Sequence, residues 1–342
     1  MCKVDSTRSQ ILLKIIRAAS IAALLSGGNP GWPLDASRNL QTKKPASTAS
    51  DVYTISDNVD LVLLDASVKD LKGGYVTGLN KSNFHVTEDG RPREITQFAS
   101  VDTPVTIGLV VDNSASMRFK RPEVILAGLA FAKESNAKDE LFVVNFNNSV
   151  VRGLPAKTLF TDNLQALKAA LYYGAPVGQT ALYDAIAYSL RHLEFSNQEK
   201  RTLIVVSDGG DNVSKTSLPE LMKLIESSRA TIYTVGLFDP EDRDLNPGVL
   251  RKIANLSGGE FFEPAQLDDV VPVFHKISKD IRNRYTIGYV PDEVSDKRTM
   301  RSVKVIARDS GRKLTVRTRT TYTTIPLSQL AQNPNQAEHK QQ

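Results

Sequence analysis

The sequence predicts an α/β protein: a doubly wound, mostly parallel sheet inserted in a smaller all-β, sandwich-like unit that the N- and C-terminal flanks build together. Three observations carry this. Apolar runs (VTIGLVV, ELFVVNF, TLIVVS and ATIYTVGLF) recur between residues 105 and 238, as strands do when helices cover both faces of a sheet. Helical patterns separate these runs, which is the signature of parallel crossovers. Strand-like segments stand on either side of this region, each group too small to bury a core alone.

The chain opens with Lys3, Arg8, Lys14 and Arg17, followed by AASIAALLSGG and the breakers Pro30 and Pro33. That order matches a secretory signal peptide, and the apolar part is short for a bilayer span. Residues 1–50 are therefore read as a signal peptide and flexible linker, and the protein as exported to the periplasm or the outside. The alternative is a chain anchored in the membrane by an uncleaved N-terminal segment. Residues 51–103 read as a β unit, from VDLVLLDASVKD, GYVTGL, NFHVTEDG and REITQFASV with turns at Gly73-Gly74 and Asp89-Gly90. Residues 104–284 form the α/β domain, whose last helical pattern is LDDVVPVFHKISKDIRNR. The strands YTIGYVP, RSVKVIARD and KLTVRTRTTY fill 285–326 and are expected to pair with 51–103, because domain termini often lie close together. The Gln-rich tail 327–342 reads as disordered.

Composition removes several functions. A chain of 342 residues with net charge +5 has scattered lysines and arginines and no dense run, so nucleic acid is not implied. Arg308, Arg312, Lys313, Arg317 and Arg319 concentrate near the end, and on alternating strands they read as a solvated face. Cys2 is the single cysteine, so no internal disulfide forms. His85, His192, His275 and His339 are isolated, and no H-E-x-x-H occurs, which leaves a zinc enzyme without ligands.

Where the first apolar run stops, the chain reads Asp112-Asn113-Ser114-Ala115-Ser116. In an open α/β sheet, ligands bind outside the carboxyl ends of the strands. Two further segments end there with oxygen-bearing residues: PVGQT with Thr180, and TLIVVS followed by Asp208. Two carboxylates and three hydroxyls suit a hard cation, Mg²⁺ or alternatively Mn²⁺ or Ca²⁺. Each piece also has a plain reading. Asp112 and Ser116 can cap a helix, Thr180 can be a helix N-cap, and Asp208-Gly209 can be a turn.

The pattern Asp-x-Ser-x-Ser, the Thr of Gly-x-Thr-x-Leu and the Ser-Asp-Gly after a buried strand resemble the von Willebrand factor A domain, a Rossmann-like fold. The likeness continues through KDELFVVNFNN and through ATIYTVGLF to LSGGEFFEP. With the flanks GYVTGLNKSNFHVTEDGRPREITQF and YTIGYVP it resembles the bacterial exported subgroup of acidobacterial type, over roughly residues 56–322. The resemblance implies a metal-ion-dependent adhesion site at Asp112, Ser114, Ser116, Thr180 and Asp208. It implies direct ligation by the hydroxyls, and aspartates bound directly or through water. It also implies an open position for an acidic residue of a partner protein. Ala115 and Gln179 stand where the family commonly has glycine, which matters if those positions need φ > 0.

The expectation is thus a non-enzymatic, cation-dependent protein-binding module with no stable membrane span after signal cleavage. A scaffold with a vestigial or stabilising metal site is the alternative. A metal-dependent hydrolase is the third, with no G-x-S-x-G, no P-loop and no clustered histidine in its favour.

Overall fold

A computed structural model of the chain describes residues 61–100, 102–239, 246–291 and 300–324. The leader, the linker and the polar tail lie outside these residues. Among the described residues no helix is long and apolar enough to cross a membrane.

The central sheet has the order β10-β9-β8-β5-β6-β7. Its members are β5 (Val105–Asp112), β6 (Glu140–Phe146), β7 (Val150–Arg152), β8 (Lys200–Ser207), β9 (Thr231–Gly236) and β10 (Phe261–Phe262). All neighbours run parallel except β7, which returns antiparallel to β6. All eight residues of β5 are buried, because it lies between β8 and β6 with helices on its faces. The chain leaves β5 for β6 on one side and later returns to β8 on the other, so the sheet switches direction at β5 and places its crevice at the ends of β5 and β8.

The helices α1 (Arg121–Glu134), α2 (Leu164–Tyr172), α3 (Leu182–Leu193), α4 (Leu218–Ser227) and α5 (Pro247–Ser257) connect strands of this sheet, and α6 (Val270–Arg282) leads out of it to a flanking sheet. Several start where local chemistry directs. The Ser217 hydroxyl and the Glu220 carboxylate form a capping box on α4, and Asn246 accepts from the Val249 amide ahead of α5. Gly258, at φ 80°, ends α5 in the left-handed region.

The flanks do pair with each other. One sheet has the order β13-β1-β11-β4, from β1 (Val62–Asp70), β4 (Ile95–Ala99), β11 (Arg284–Tyr289) and β13 (Leu314–Arg317). The other has the order β14-β12-β2-β3, from β2 (Phe84–Glu88), β3 (Arg91–Arg93), β12 (Met300–Ala307) and β14 (Thr321–Thr323). Leu64 faces Ile287 and Ala66 faces Tyr285 across β1 and β11, while Val86 faces Val305 across β2 and β12. Their inner faces share one apolar core with Phe84, Val303 and Tyr289.

Two expectations are corrected. GYVTGL is not a strand; among the described residues only a single bridge joins Tyr75 to Lys69. Gly73 and Gly78 adopt positive φ, and Val76 and Leu79 plug the core from a loop. The Tyr285 phenol holds that loop, donating to the Val76 carbonyl at 2.8 Å and accepting from the Leu79 amide at 3.1 Å. Nor are the C-terminal arginines a solvated face throughout. Arg317 pairs with Glu260 and with Asp280, and Arg319 is buried, which pulls its guanidinium down to about 10. The inward positions of β13 and the segment after it meet the α/β body instead of water.

That meeting surface centres on Asp280 near the end of α6. Its carboxylate accepts from Ser67 at 2.8 Å, Tyr233 at 2.5 Å, Arg284 at 3.0 Å and Arg317 at 3.1 Å. Burial alone raises its pKa, but Arg284 and Arg317 overcome this and hold it well below the usual carboxylate range.

Candidate metal centre

The structure brings the five predicted residues to one place. Ser114, Ser116, Thr180 and Asp208 line a cleft of about 270 Å³ together with Gly178 and Asn212. Asp112 lies beneath, fully buried at the last position of β5. β5 and β8 pair with Val111 beside Val206, so the next residues, Asp112 and Ser207, emerge side by side.

Hydrogen bonds fix each group. Asp112 Oδ1 accepts from the Ser114 amide at 2.8 Å, and its Oδ2 accepts from the Ser207 hydroxyl at 2.6 Å. The hydroxyls of Ser114 and Ser116 are 3.0 Å apart, and Ser116 Oγ donates to Asp208 Oδ2 at 2.6 Å. Asp208 Oδ1 accepts from the Gly210 amide at 3.3 Å. Thr180 is held through its backbone, its amide donating to Asn212 Oδ1 at 2.9 Å and its carbonyl accepting from the Asn212 amide at 3.1 Å.

The helix-cap readings do not describe Asp112, Ser116 or Thr180, whereas Asp208-Gly209 does form a turn, with Gly209 at φ 82° and Asp208 Oδ1 accepting from the Gly210 amide. Helix α1 begins at Arg121 with no side-chain cap, five residues beyond Ser116. Asp112 instead closes a tight turn on Ser114. Thr180 does not cap α3, whose N-cap position is Ala181. That helix start is served from another loop: Asp211 Oδ1 accepts from the Tyr183 amide at 3.1 Å, and the Ser214 hydroxyl accepts from the Asp184 amide at 3.1 Å. Asp184 in turn accepts from the amides of Lys215 and Thr216. The loop after β8 and the loop before α3 are thereby latched together across the cleft.

The two departures from the family's glycines carry no backbone strain. Asp89 is the only non-glycine with positive φ among the described residues, so neither Ala115 nor Gln179 occupies the left-handed region. The turns that need it use Gly178 (φ 82°) and Gly209 (φ 82°). A Cβ at Gly178 would lie 1.9 Å from Asn148 Oδ1, and one at Gly209 would lie 2.7 Å from the Asn246 carbonyl.

Electrostatics make this cleft costly as it stands. Burial, and then the Asp208 charge, push the Asp112 carboxyl up to about 6, against the opposing pull of Ser207 and Ser114. Among the described residues no lysine or arginine pairs with either carboxylate; Lys120, nearby and buried, spends its Nζ on the Leu237 carbonyl at 2.7 Å. Two carboxylates and three hydroxyls converge without a cation among the side chains, and that donor set fits a hard divalent ion. Among the described residues no group of three or more His, Cys, Asp or Glu gathers, so a softer metal has no comparable site.

Sequence reasoning missed Ser207 and Asn148. Ser207 was legible in principle: once two apolar runs are aligned as parallel neighbours, the residue before Asp208 falls beside Asp112. Asn148, whose Oδ1 accepts from the Gln179 amide at 3.0 Å, had no local signal.

No curated protein sequence matches this one. Solved structures similar to it include a von Willebrand factor type A protein from Catenulispora acidiphila, at 14% identity over 78% of this chain and 75% of that one, with TM-score 0.48. An aerotolerance-related membrane protein from Bacteroides fragilis matches at 19% identity over 52% of this chain and 98% of that one, with TM-score 0.44. The von Willebrand factor domain of the type V pili tip protein Mfa5 from Porphyromonas gingivalis matches at 15% identity over 53% and 96%, with TM-score 0.42. The segment from β5 through the loop that carries Asp208, residues 107–210, matches the family described as the von Willebrand factor type A domain.

Proposed function

We propose that the chain is a cation-dependent protein-binding module, exported, in which Asp112, Ser114, Ser116, Thr180 and Asp208 hold Mg²⁺ and a partner supplies an acidic residue. The observation that carries this is the convergence of Ser114, Ser116, Thr180 and Asp208, from three separate loops, on one cleft, with Asp112 buried next to them and bonded to the Ser114 amide. A bound divalent ion would supply positive charge that relieves the Asp112–Asp208 repulsion and attracts a carboxylate. The hydroxyls of Ser114, Ser116 and Thr180 are neutral, so with two carboxylates in place the cation is not overcompensated and keeps an attraction for a third. Ser207 and the Ser114 amide orient Asp112, and Asn212 positions the Thr180 loop.

The scaffold reading has one observation in its favour. Ser116 and Ser207 already satisfy one oxygen of each aspartate, so the cluster can also serve as an internal staple. A hydrolase reading finds no histidine among the described residues that line the cleft. Among the described histidines, His192 packs within an aromatic cluster, His275 meets Glu134 and His85 lies on β2. Isothermal titration of the full chain with Mg²⁺ tests the main proposal. A single site lost in Asp208→Ala supports it, and heats identical in both proteins contradict it.

A further inference from the structure

We infer that Asn148, in the turn between β6 and β7, is a positioning residue for the cleft: it fixes the loop that presents the Thr180 hydroxyl before any ion arrives. This rests on the reading of the cleft as a cation site. Thr180 is buried and lines the cleft, yet among the described residues its hydroxyl makes no hydrogen bond. The serines differ. Ser114 and Ser116 are bonded to each other, and Ser116 also to Asp208. Thr180 is the hydroxyl of the cleft whose whole capacity is left for a ligand.

The backbone around that hydroxyl is the reverse case. The Val177 amide donates to the Asn113 carbonyl at 2.9 Å, and the Gln179 amide to Asn148 Oδ1 at 3.0 Å. The Thr180 amide donates to Asn212 Oδ1 at 2.9 Å, and the Ala181 amide to the Asn147 carbonyl at 2.9 Å. The Gly178 carbonyl accepts from the Ala115 amide at 3.1 Å. Three separate segments thus hold residues 177–181 by their main chain. A ligand group fixed in this way loses little conformational freedom when it engages.

Asn148 stands apart among these supports. Asn113 and Asn212 belong to the loops that carry Ser114 and Asp208, whereas Asn148 is exposed and is not among the residues that line the cleft. Nor is its carboxamide needed to close its own turn. The neighbouring Asn147 does that, its amide donating to the Ser149 carbonyl at 3.0 Å and its Oδ1 accepting from the Ser149 amide at 3.1 Å. The Asn148 side chain instead reaches a residue 31 positions away. Gly178 makes room for it: a Cβ there would lie 1.9 Å from Asn148 Oδ1. The glycine and the carboxamide therefore work as a pair, one yielding the space that the other needs to meet the Gln179 amide.

The test joins amide hydrogen exchange in EDTA with calorimetric titration by Mg²⁺, both on the full chain. Wild type is set beside Asn148→Ala, Asn148→Asp, Gly178→Ala and the double variant Asn148→Ala/Gly178→Ala. Metal-free wild type is expected to protect the segment 177–181, and Asn148→Ala to exchange it faster. Asn148→Ala lowers Mg²⁺ affinity by roughly tenfold, as loss of a group that orients a ligand does. Asn148→Asp keeps the acceptor for the Gln179 amide and recovers the affinity. Gly178→Ala weakens Mg²⁺ binding in wild type and weakens it less in Asn148→Ala, where the new Cβ has no carboxamide to displace. Equal Mg²⁺ affinity in wild type and Asn148→Ala overturns the positioning role and leaves the cation site standing. So does an equal loss in Asn148→Ala and Asn148→Asp, or strict additivity in the double variant. Protection of 177–181 that is unchanged in Asn148→Ala overturns it as well. Absence of Mg²⁺ binding by wild type overturns the reading of the cleft, and the positioning role with it, whatever the exchange pattern.

Discussion

Asp112 is a fully buried carboxylate whose value of about 6 stands above its ordinary 3.8, first through burial and then through Asp208. Metal-free folded protein therefore binds more protons than unfolded chain between about pH 4 and 6. Stability from this group is present in acid and is lost as pH rises through about 6. The loss is on the order of 3 kcal/mol at 1.36 kcal/mol per pKa unit. Urea denaturation in EDTA at pH 4.5 and 7.5 is expected to show this component in wild type and not in Asp112→Asn. Under the proposed cation site, Mg²⁺ affinity is expected to have the opposite dependence, because a proton on Asp112 would compete with the ion, and titration calorimetry at pH 5 and 7.5 checks that it weakens in acid. Ser207 is the partner that sequence reading passed over. Ser207→Ala is expected to lower Mg²⁺ affinity by roughly tenfold, as loss of a group that orients a ligand commonly does. Titration calorimetry measures this, and unchanged affinity would show that Ser207 does not orient Asp112. The candidate residues of the first loop, Asp112, Ser114 and Ser116, were legible because Asp-x-Ser-x-Ser is a local pattern. Among the groups that steer them, Ser207 is found only by aligning two strands, and Asn212 and Asn148 come from other loops.

Among the elements, α3 shows where local pattern fails. Thr180 stands one residue before Ala181 and looks like a cap, yet the Tyr183 amide is met by Asp211 from 28 positions away. Helices α4 and α5 carry their caps in sequence, at Ser217 and Asn246, and were readable directly. The consequence is testable. Asp211→Ala is expected to cost about 1–2 kcal/mol in chemical denaturation, the range of a lost helix cap. It should also weaken Mg²⁺ binding, because the same latch holds the Thr180 loop. A variant with full stability and full affinity would contradict that coupling. The buried strands were legible from their continuous apolar runs, which only a sheet covered on both faces requires. The segment 74–79 was misread because its two apolar residues plug a core from a loop, and no periodicity distinguishes that from a short strand.

For the whole molecule, pairing of the two flanks followed from their individual smallness, and the register of β1 with β11 and of β2 with β12 shows it. The ionic surface between that β unit and the α/β body was not legible. Arg317 and Arg319 alternate like a solvated strand face, and only the fold sets Arg317 against Asp280 and buries Arg319. Removing one member should leave a buried charge uncompensated, so Arg284→Met is expected to cost about 3–5 kcal/mol by urea denaturation. A loss below about 1 kcal/mol would mean that water or rearrangement compensates Asp280. The central claim concerns the cleft at the opposite ends of β5 and β8. It is tested most directly by thermal denaturation of the full chain with increasing Mg²⁺, beside Asp112→Ala and Asp208→Ala, with EDTA as reference. A ligand bound only by the folded state stabilises by RT ln(1 + [L]/Kd), about 2.7 kcal/mol at a hundredfold excess over Kd. The account predicts a rise of several degrees in wild type and none in either variant. A melting temperature indifferent to Mg²⁺ in all three proteins would contradict it.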